Sequence, residues 1–90
     1  MRISYDPAKN QRNIQERQLS FDDAVHLDWA TARIWQDTRK VYPEVRYIAV
    51  GYLAARLHVL CFAETADGIR VISFRKANQR EQRAYETTDR

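Results

Sequence analysis

Apolar positions recur with two different periods along this chain, and the change between them outlines a fold. Residues 2–5 (Arg2-Ile3-Ser4-Tyr5) alternate and predict a short strand. Asp6-Pro7 then opens a helix expected to run to Arg17. Asp6 can cap the first turn, and proline at the first helical position loses no needed hydrogen bond. The apolar content of this helix is thin, Ala8 and Ile14, so it is expected on the surface, anchored by few contacts. Ser20-Phe21-Asp22-Asp23 is a second helix start, with Ser20 as cap and acids facing the positive end of the helix dipole. Phe21, Ala24, Val25 and Leu27 give it a short apolar face that ends near Asp28.

From there the period becomes two. Residues 30–35 predict a strand and residues 37–43 a polar, basic loop. Three stronger strands follow at 45–53, 57–63 and 69–74, joined by Ala54-Ala55-Arg56 and by a turn at Ala66-Asp67-Gly68. Links this short join antiparallel neighbours, hence a meander. Residues 78–87 predict a last helix, with Asn78 as cap and Glu81 three residues on, a close relative of the capping box. The expected fold is α+β in a single domain over residues 1–90. Two N-terminal helices pack on an antiparallel sheet, and a C-terminal helix follows.

Strict alternation sorts the strand side chains into two faces. Val45, Tyr47 and Ala49 oppose Arg46, Ile48, Val50 and Tyr52. Leu57, Val59, Cys61 and Ala63 oppose His58, Leu60, Phe62 and Glu64. In the last strand Ile69, Val71, Ser73 and Arg75 oppose Arg70, Ile72 and Phe74. Both faces carry apolar residues, so both are expected to be at least partly covered.

Composition narrows the function classes. A 90-residue chain that is 44% hydrophobic and 30% charged is globular rather than disordered. Cys61 is the only cysteine, which excludes an intramolecular disulfide framework, and with His26 and His58 it supplies too few ligands for a zinc finger. The longest apolar run, residues 48–55, is far short of a membrane span, and no secretory apolar region opens the chain, so the cytoplasm is the expected location. The net charge of +3 is lopsided. Residues 1–68 hold nine basic and nine acidic side chains, whereas residues 69–90 hold six basic and three acidic. That excess fits either a polyanion-binding surface or a solvated helix face.

Chemistry-bearing residues gather at the strand ends and in the last helix: Arg46, Glu64, Arg70, Arg75 and Lys76, then Arg80, Arg83 and Tyr85. Such a set can grip a phosphodiester and stack a base. Equally, Tyr85 can pack the last helix on the sheet while the arginines pair with Glu81 and Glu86. His58 is either an acid–base group or a packed strand residue. Cys61, inside an apolar run, is expected to be buried and inert. Gly51 and Gly68 are the only glycines, so there is no Gly-rich phosphate loop.

Three stretches together resemble the BrnT toxins. They are Asp6-Pro7-Ala8-Lys9 with Asn13 and residues 19–24; Glu44-Val45-Arg46-Tyr47-Ile48-Ala49-Val50-Gly51; and residues 69–78 with Arg80-Glu81 and Tyr85. The resemblance implies a RelE-like fold and RNA cleavage with no metal or other cofactor. It further implies a BrnA-like antitoxin carrying a ribbon-helix-helix DNA-binding part, and a complex that binds operator DNA. The chain departs from the family pattern at Glu16-Arg17-Gln18, where many relatives carry a Lys-His-Gly-like turn. It departs again at Phe62 and Thr65, near which relatives often carry a His or Tyr and an Arg. These departures motivate a second reading, a binding module that has lost catalysis and serves as antitoxin partner or co-repressor.

On the ribonuclease reading the RNA 2′-hydroxyl attacks the adjacent phosphorus, leaving a cyclic phosphate and a free 5′-hydroxyl. Arg46 and Arg75 are the candidates to stabilise the charge that builds on the phosphoryl oxygens. Lys76, Arg80, Arg83 and Arg70 are candidates to hold flanking phosphates, and Tyr85 to donate a proton or stack a base. Glu44, Glu64 and His58 are the candidate bases. The basic last segment is also a natural surface for an acidic or apolar antitoxin segment to cover.

Overall fold

The computed structural model describes residues 1–88 of the chain; Asp89 and Arg90, counted in the basic tail, lie outside the described residues. The elements run β1 (Arg2–Ser4), α1 (Pro7–Arg17), a 3-10 helix (Phe21–His26), β2 (Arg33–Gln36), β3 (Tyr47–Leu53), β4 (Arg56–Glu64), β5 (Gly68–Lys76) and α2 (Gln79–Thr88). The five strands form one sheet in the order β1-β5-β4-β3-β2. The predicted meander is present: β3 pairs with β4 and β4 with β5, antiparallel, and β2 adds antiparallel to β3.

Two expectations need correction. The sheet is mixed, because β1 lies parallel to β5 with Arg2 opposite Gly68. Gly68 permits this approach, since a Cβ there would collide with the Arg2 backbone. The second N-terminal helix is a six-residue 3-10 segment. Ser20 does cap it, its Oγ accepting from the Asp22 amide at 3.1 Å, but the bonds from Asp23 to Ser20 and from Leu27 to Ala24 span only three residues.

The first face of the sheet carries a closed core. Leu19, Phe21, Ala24 and Leu27 pack on Ala49, Leu60, Phe62, Ile69, Val71 and Phe74, and Leu60 and Phe74 have no exposed surface. α1 contributes differently from what its sequence predicts. Ile14 is exposed, and the buried residues of the helix are two asparagines. Asn10 Oδ1 accepts from the Phe21 amide at 2.7 Å, and Asn13 Nδ2 donates to the carbonyls of Leu19 (2.9 Å) and Phe74 (3.0 Å). Hydrogen bonds to buried backbone groups thus do the anchoring that apolar side chains do elsewhere. α1 ends at Gln18, which takes the left-handed conformation (φ 54°, ψ 39°) that glycine adopts more easily.

The second face is covered by α2, whose Tyr85, with Ala77, packs on Ile48, Val50, Leu57, Val59 and Cys61. The capping box at its start is complete. The Asn78 side chain accepts from the Glu81 amide at 2.8 Å, and the Glu81 carboxylate accepts from the Asn78 amide at 2.9 Å.

A β-bulge overturns the strict alternation in β5. Phe62 lies opposite Val71 and Cys61 opposite Ser73, so Ile72 is the extra residue. Beyond it the faces exchange. Phe74 turns into the first core with Ile69 and Val71, and Arg75 turns onto the second face, opposite Val59. Alternation alone had Arg75 sharing a face with Ile69 and Val71.

Candidate active site

The bulge puts Arg75 on the same face of the sheet as Arg46, and both line a cavity of about 370 Å³ at the end of that face. The floor is Ile48, Val59, Cys61, Ile72 and Ser73. The walls are α2, through Glu81, and the β2–β3 loop, through Asp37, Arg39 and Tyr42, with Trp35 of β2 beside them.

The loop that the sequence marked only as polar and basic is an ordered part of this site. Asp37 is buried and organises it. Arg39 donates to the Asp37 carboxylate through Nε and Nη2, both at 2.8 Å, and Tyr42 Oη donates to it at 3.1 Å. These bonds, those from Arg39 foremost, hold the Asp37 carboxyl well below the usual carboxylate range against the opposing effect of burial. Tyr42 in turn offers its ring to Arg46, whose guanidinium carbon lies 4.3 Å from the ring centroid. Glu44 then ties this loop to β5, accepting from Arg46 Nε at 3.1 Å and from Arg70 of β5. Burial pushes the Glu44 carboxyl up, but the bonds from Arg70 and Arg46 outweigh it, and the group lies below its ordinary value.

On the opposite wall Arg75 and Glu81 form a two-point pair, Nη1 and Nη2 each 2.8 Å from a carboxylate oxygen. Glu81 therefore caps α2 and orients Arg75 at once. Its pKa falls to about 2, chiefly through the Arg75 bond. Arg39, Arg46 and Arg75 are each held by a carboxylate, so the cations that face the cavity have their directions set in advance.

Other sequence candidates lie elsewhere. His58 is buried on the first face, tilted against Phe74 at 5.4 Å between ring centroids, with Nδ1 2.8 Å from the Arg56 carbonyl. Burial pushes its imidazole below the ordinary value. It does not line the cavity that holds Arg46 and Arg75. Tyr85 packs in the second core and lines the cavity next to this one. Its hydroxyl donates to the Thr31 carbonyl at 2.9 Å and its ring meets Tyr52 edge-on. Arg80, Arg83 and Lys76 are exposed outside the cavity, and exposed Glu64 lies at the far end of β4. Burial raises the Cys61 thiol pKa, which keeps it protonated. The departures at Phe62 and Thr65 fall outside the cavity: Phe62 stacks on Tyr47 in the first core, and Thr65 sits in the β4–β5 turn.

Sequence reasoning missed Asp37, Arg39 and Tyr42. Their signal was an acid, an arginine and a tyrosine in one ten-residue loop that also holds Glu44 and Arg46. It also missed Lys9, Arg12 and Arg17 of α1, which line a smaller cavity sharing Ile72 and Ser73 with the first.

A sequence profile described as ribonuclease toxin, BrnT, of type II toxin–antitoxin system matches residues 5–81. The chain belongs to the BrnT family. The fold agrees with the 1.1 Å crystal structure of the Brucella abortus ribonuclease toxin BrnT, at 25% identity and a TM-score of 0.66. That alignment covers 88% of this chain and 99% of the Brucella chain. No curated protein sequence matches the chain. As a BrnT-family ribonuclease toxin of a type II toxin–antitoxin system, the protein has an antitoxin as its expected counterpart. Among the described residues no helix is long and apolar enough to cross a membrane.

Proposed function

We propose that this single-domain, RelE-like toxin is a cytoplasmic endoribonuclease that cleaves RNA by metal-independent attack of the 2′-hydroxyl. The observation that carries the reading is the pair of arginines, Arg46 and Arg75, brought into one cavity from the β2–β3 loop and from β5 and each aimed by a carboxylate. In the transition state negative charge builds on the two non-bridging oxygens of the scissile phosphate, and preorganised guanidinium groups stabilise it without reorganising at the moment of reaction. Arg39 and Tyr42 line the same cavity and supply a further cation and a phenol ring.

The roles assigned to the other candidates follow their positions. Glu44 positions Arg46 and Arg70 as an ionised carboxylate, and Arg70 reaches the site through that carboxylate. Lys76, Arg80 and Arg83 hold RNA phosphates beyond the cavity. Tyr85 and His58 serve the fold. The antitoxin is BrnA-like with a ribbon-helix-helix part, and the complex binds operator DNA.

The test is cleavage of a defined RNA by the purified chain in the presence of a chelator. Products ending in a 2′,3′-cyclic phosphate and a 5′-hydroxyl are expected, with loss of cleavage and of growth arrest in the Arg46→Ala, Arg75→Ala double variant. Cleavage that the chelator abolishes, or products ending in a 3′-hydroxyl, would overturn the mechanism. A wild-type chain that neither cuts RNA nor slows growth would favour the inactive binding module.

A further inference from the structure

β2 is an edge of the sheet. Residues Arg33–Gln36 pair with β3 along one side, and among the described residues no strand pairs along the other. Such an edge leaves alternate backbone N–H and C=O groups pointing outward, a template for another strand. Its protection is limited to its shortness, four residues, and to Arg33. β2 contains no proline or lysine, and its central residues Ile34 and Trp35 are 48% and 51% exposed. Register puts Trp35 beside Ile48 on the α2 side and Ile34 beside Ala49 on the other. A cavity opens on each side of the edge. One, of about 690 Å³, is walled by Trp35, Ile48, Val50, Val59, Ala84 and Tyr85. The other, of about 410 Å³, is walled by Trp29, Ile34, Tyr47, Phe62 and Ile69. Both apolar cores therefore stop short at the same strand.

The larger cavity shares Trp35, Ile48, Val59 and Glu81 with the arginine-lined site. A chain seated on β2 thus abuts the groups that would meet RNA.

We propose that β2 is the docking edge for the antitoxin. An extended antitoxin segment adds as a sixth strand, sends alternate apolar side chains into the two cavities, and lays acidic side chains against Arg39 and Arg46. This rests on the toxin reading above and extends it to the mode of neutralisation: the segment that completes the sheet also covers the active site. The occupant is an apolar, acidic peptide because an open backbone edge between two apolar cavities matches a strand, not a sugar–phosphate chain. A second copy of this chain fits less well, since its own β2, Arg33-Ile34-Trp35-Gln36, carries no acidic side chain to set against Arg39 and Arg46.

The experiment uses the full chain with the antitoxin encoded by the adjacent reading frame. Amide hydrogen exchange of the unmodified toxin is expected to slow at residues 33–36 on complex formation. Ile34→Lys is expected to weaken antitoxin binding by roughly 30-fold or more. Arg80→Glu with Arg83→Glu, on the exposed side of α2, is expected to weaken it far less. Thermal melting reports whether the Ile34 variant folds, and the exchange measurement does not depend on it. Unprotected amides at 33–36 with unchanged affinity of the Ile34 variant would overturn the proposal. So would a homodimer that Ile34→Lys abolishes while antitoxin binding persists, or loss of RNA binding alone. An unmodified chain that cuts no RNA, yet gains protection at 33–36 in the complex, would end the ribonuclease reading and support the docking edge.

Discussion

The two faces of the sheet are covered in opposite ways. The first is sealed by the N-terminal segments, with Leu60, Val71 and Phe74 fully buried and two asparagines tying α1 to the backbone beneath it. The second is covered only where α2 lies, and its remainder is left to arginines, carboxylates and an exposed tryptophan. The difference teaches that stability and chemistry are separated across a single layer of strands. Atoms that cannot be reached hold the fold, and atoms that can be reached are held by ion pairs whose cations still face a cavity.

The sharpest way to break this comparison is to empty each face in turn. Phe74→Ala on the sealed face is expected to cost about 3–5 kcal/mol in urea unfolding. Tyr85→Phe on the second face, which removes the hydroxyl that donates to the Thr31 carbonyl and keeps the ring, is expected to cost about 1 kcal/mol. Equal losses would show that the second face is as important to stability as the first.

Arg46→Ala or Arg75→Ala is next in size. Each is expected to lower kcat/KM for RNA cleavage roughly 10²–10³-fold, the scale of removing one transition-state donor, while the protein remains folded at the assay temperature. His58→Gln, on the other face, is the matched control: it is expected to lower stability and leave the rate constants within about twofold. A large loss of kcat with His58→Gln would put chemistry on both faces.

A smaller effect is expected with pH. The folded Glu81 carboxyl lies at about 2 against an ordinary 4.5, because its ionised form is bound by Arg75. A depressed carboxylate contributes stability above its unfolded pKa and loses it as pH falls through the folded one. Unfolding free energy is therefore expected to fall between about pH 4.5 and pH 2. Glu81→Gln should flatten that loss while costing about 1 kcal/mol at neutral pH through the weakened cap. An unchanged pH profile in this variant would remove the Arg75–Glu81 pair from the account of how α2 is held.

Smallest is Gln18→Gly at the end of α1. Relief of the left-handed residue is expected to raise stability by about 0.5–1 kcal/mol with no change in cleavage. It is measured as a shift in Tm; a fall would mean that the Gln18 side chain, which donates to the Gln15 carbonyl, matters more than the backbone.

Much of the fold was legible because it depends on local rules. Asp6-Pro7, Ser20 and Asn78 with Glu81 announced three helix starts, and the short links at 54–56 and 66–68 required antiparallel neighbours. The parallel placement of β1 was not legible, since nothing local says which edge an N-terminal strand will join. The anchoring of α1 was hidden as well, because Asn10 and Asn13 read as polar surface until their backbone partners at Phe21, Leu19 and Phe74 are brought to them. In the site, Arg46 and Arg75 were legible as candidates, through the strand ends and the family resemblance. His58 and Tyr85 were legible as residue types but not as positions. A histidine on a strand reads the same whether it faces solvent, substrate or, as here, a phenylalanine in the core.

By itself the sequence determined the long helices, the meander, the capping box and the family, for each is written in residues close together or in register along the chain. Only the tertiary structure decided where the arginines point. One extra residue at Ile72 reverses the faces of β5 beyond it, because side chains in a strand alternate with period two. That reversal takes Arg75 from the sealed core to the open face, where Glu81 and the Asp37–Arg46 loop close a site around it.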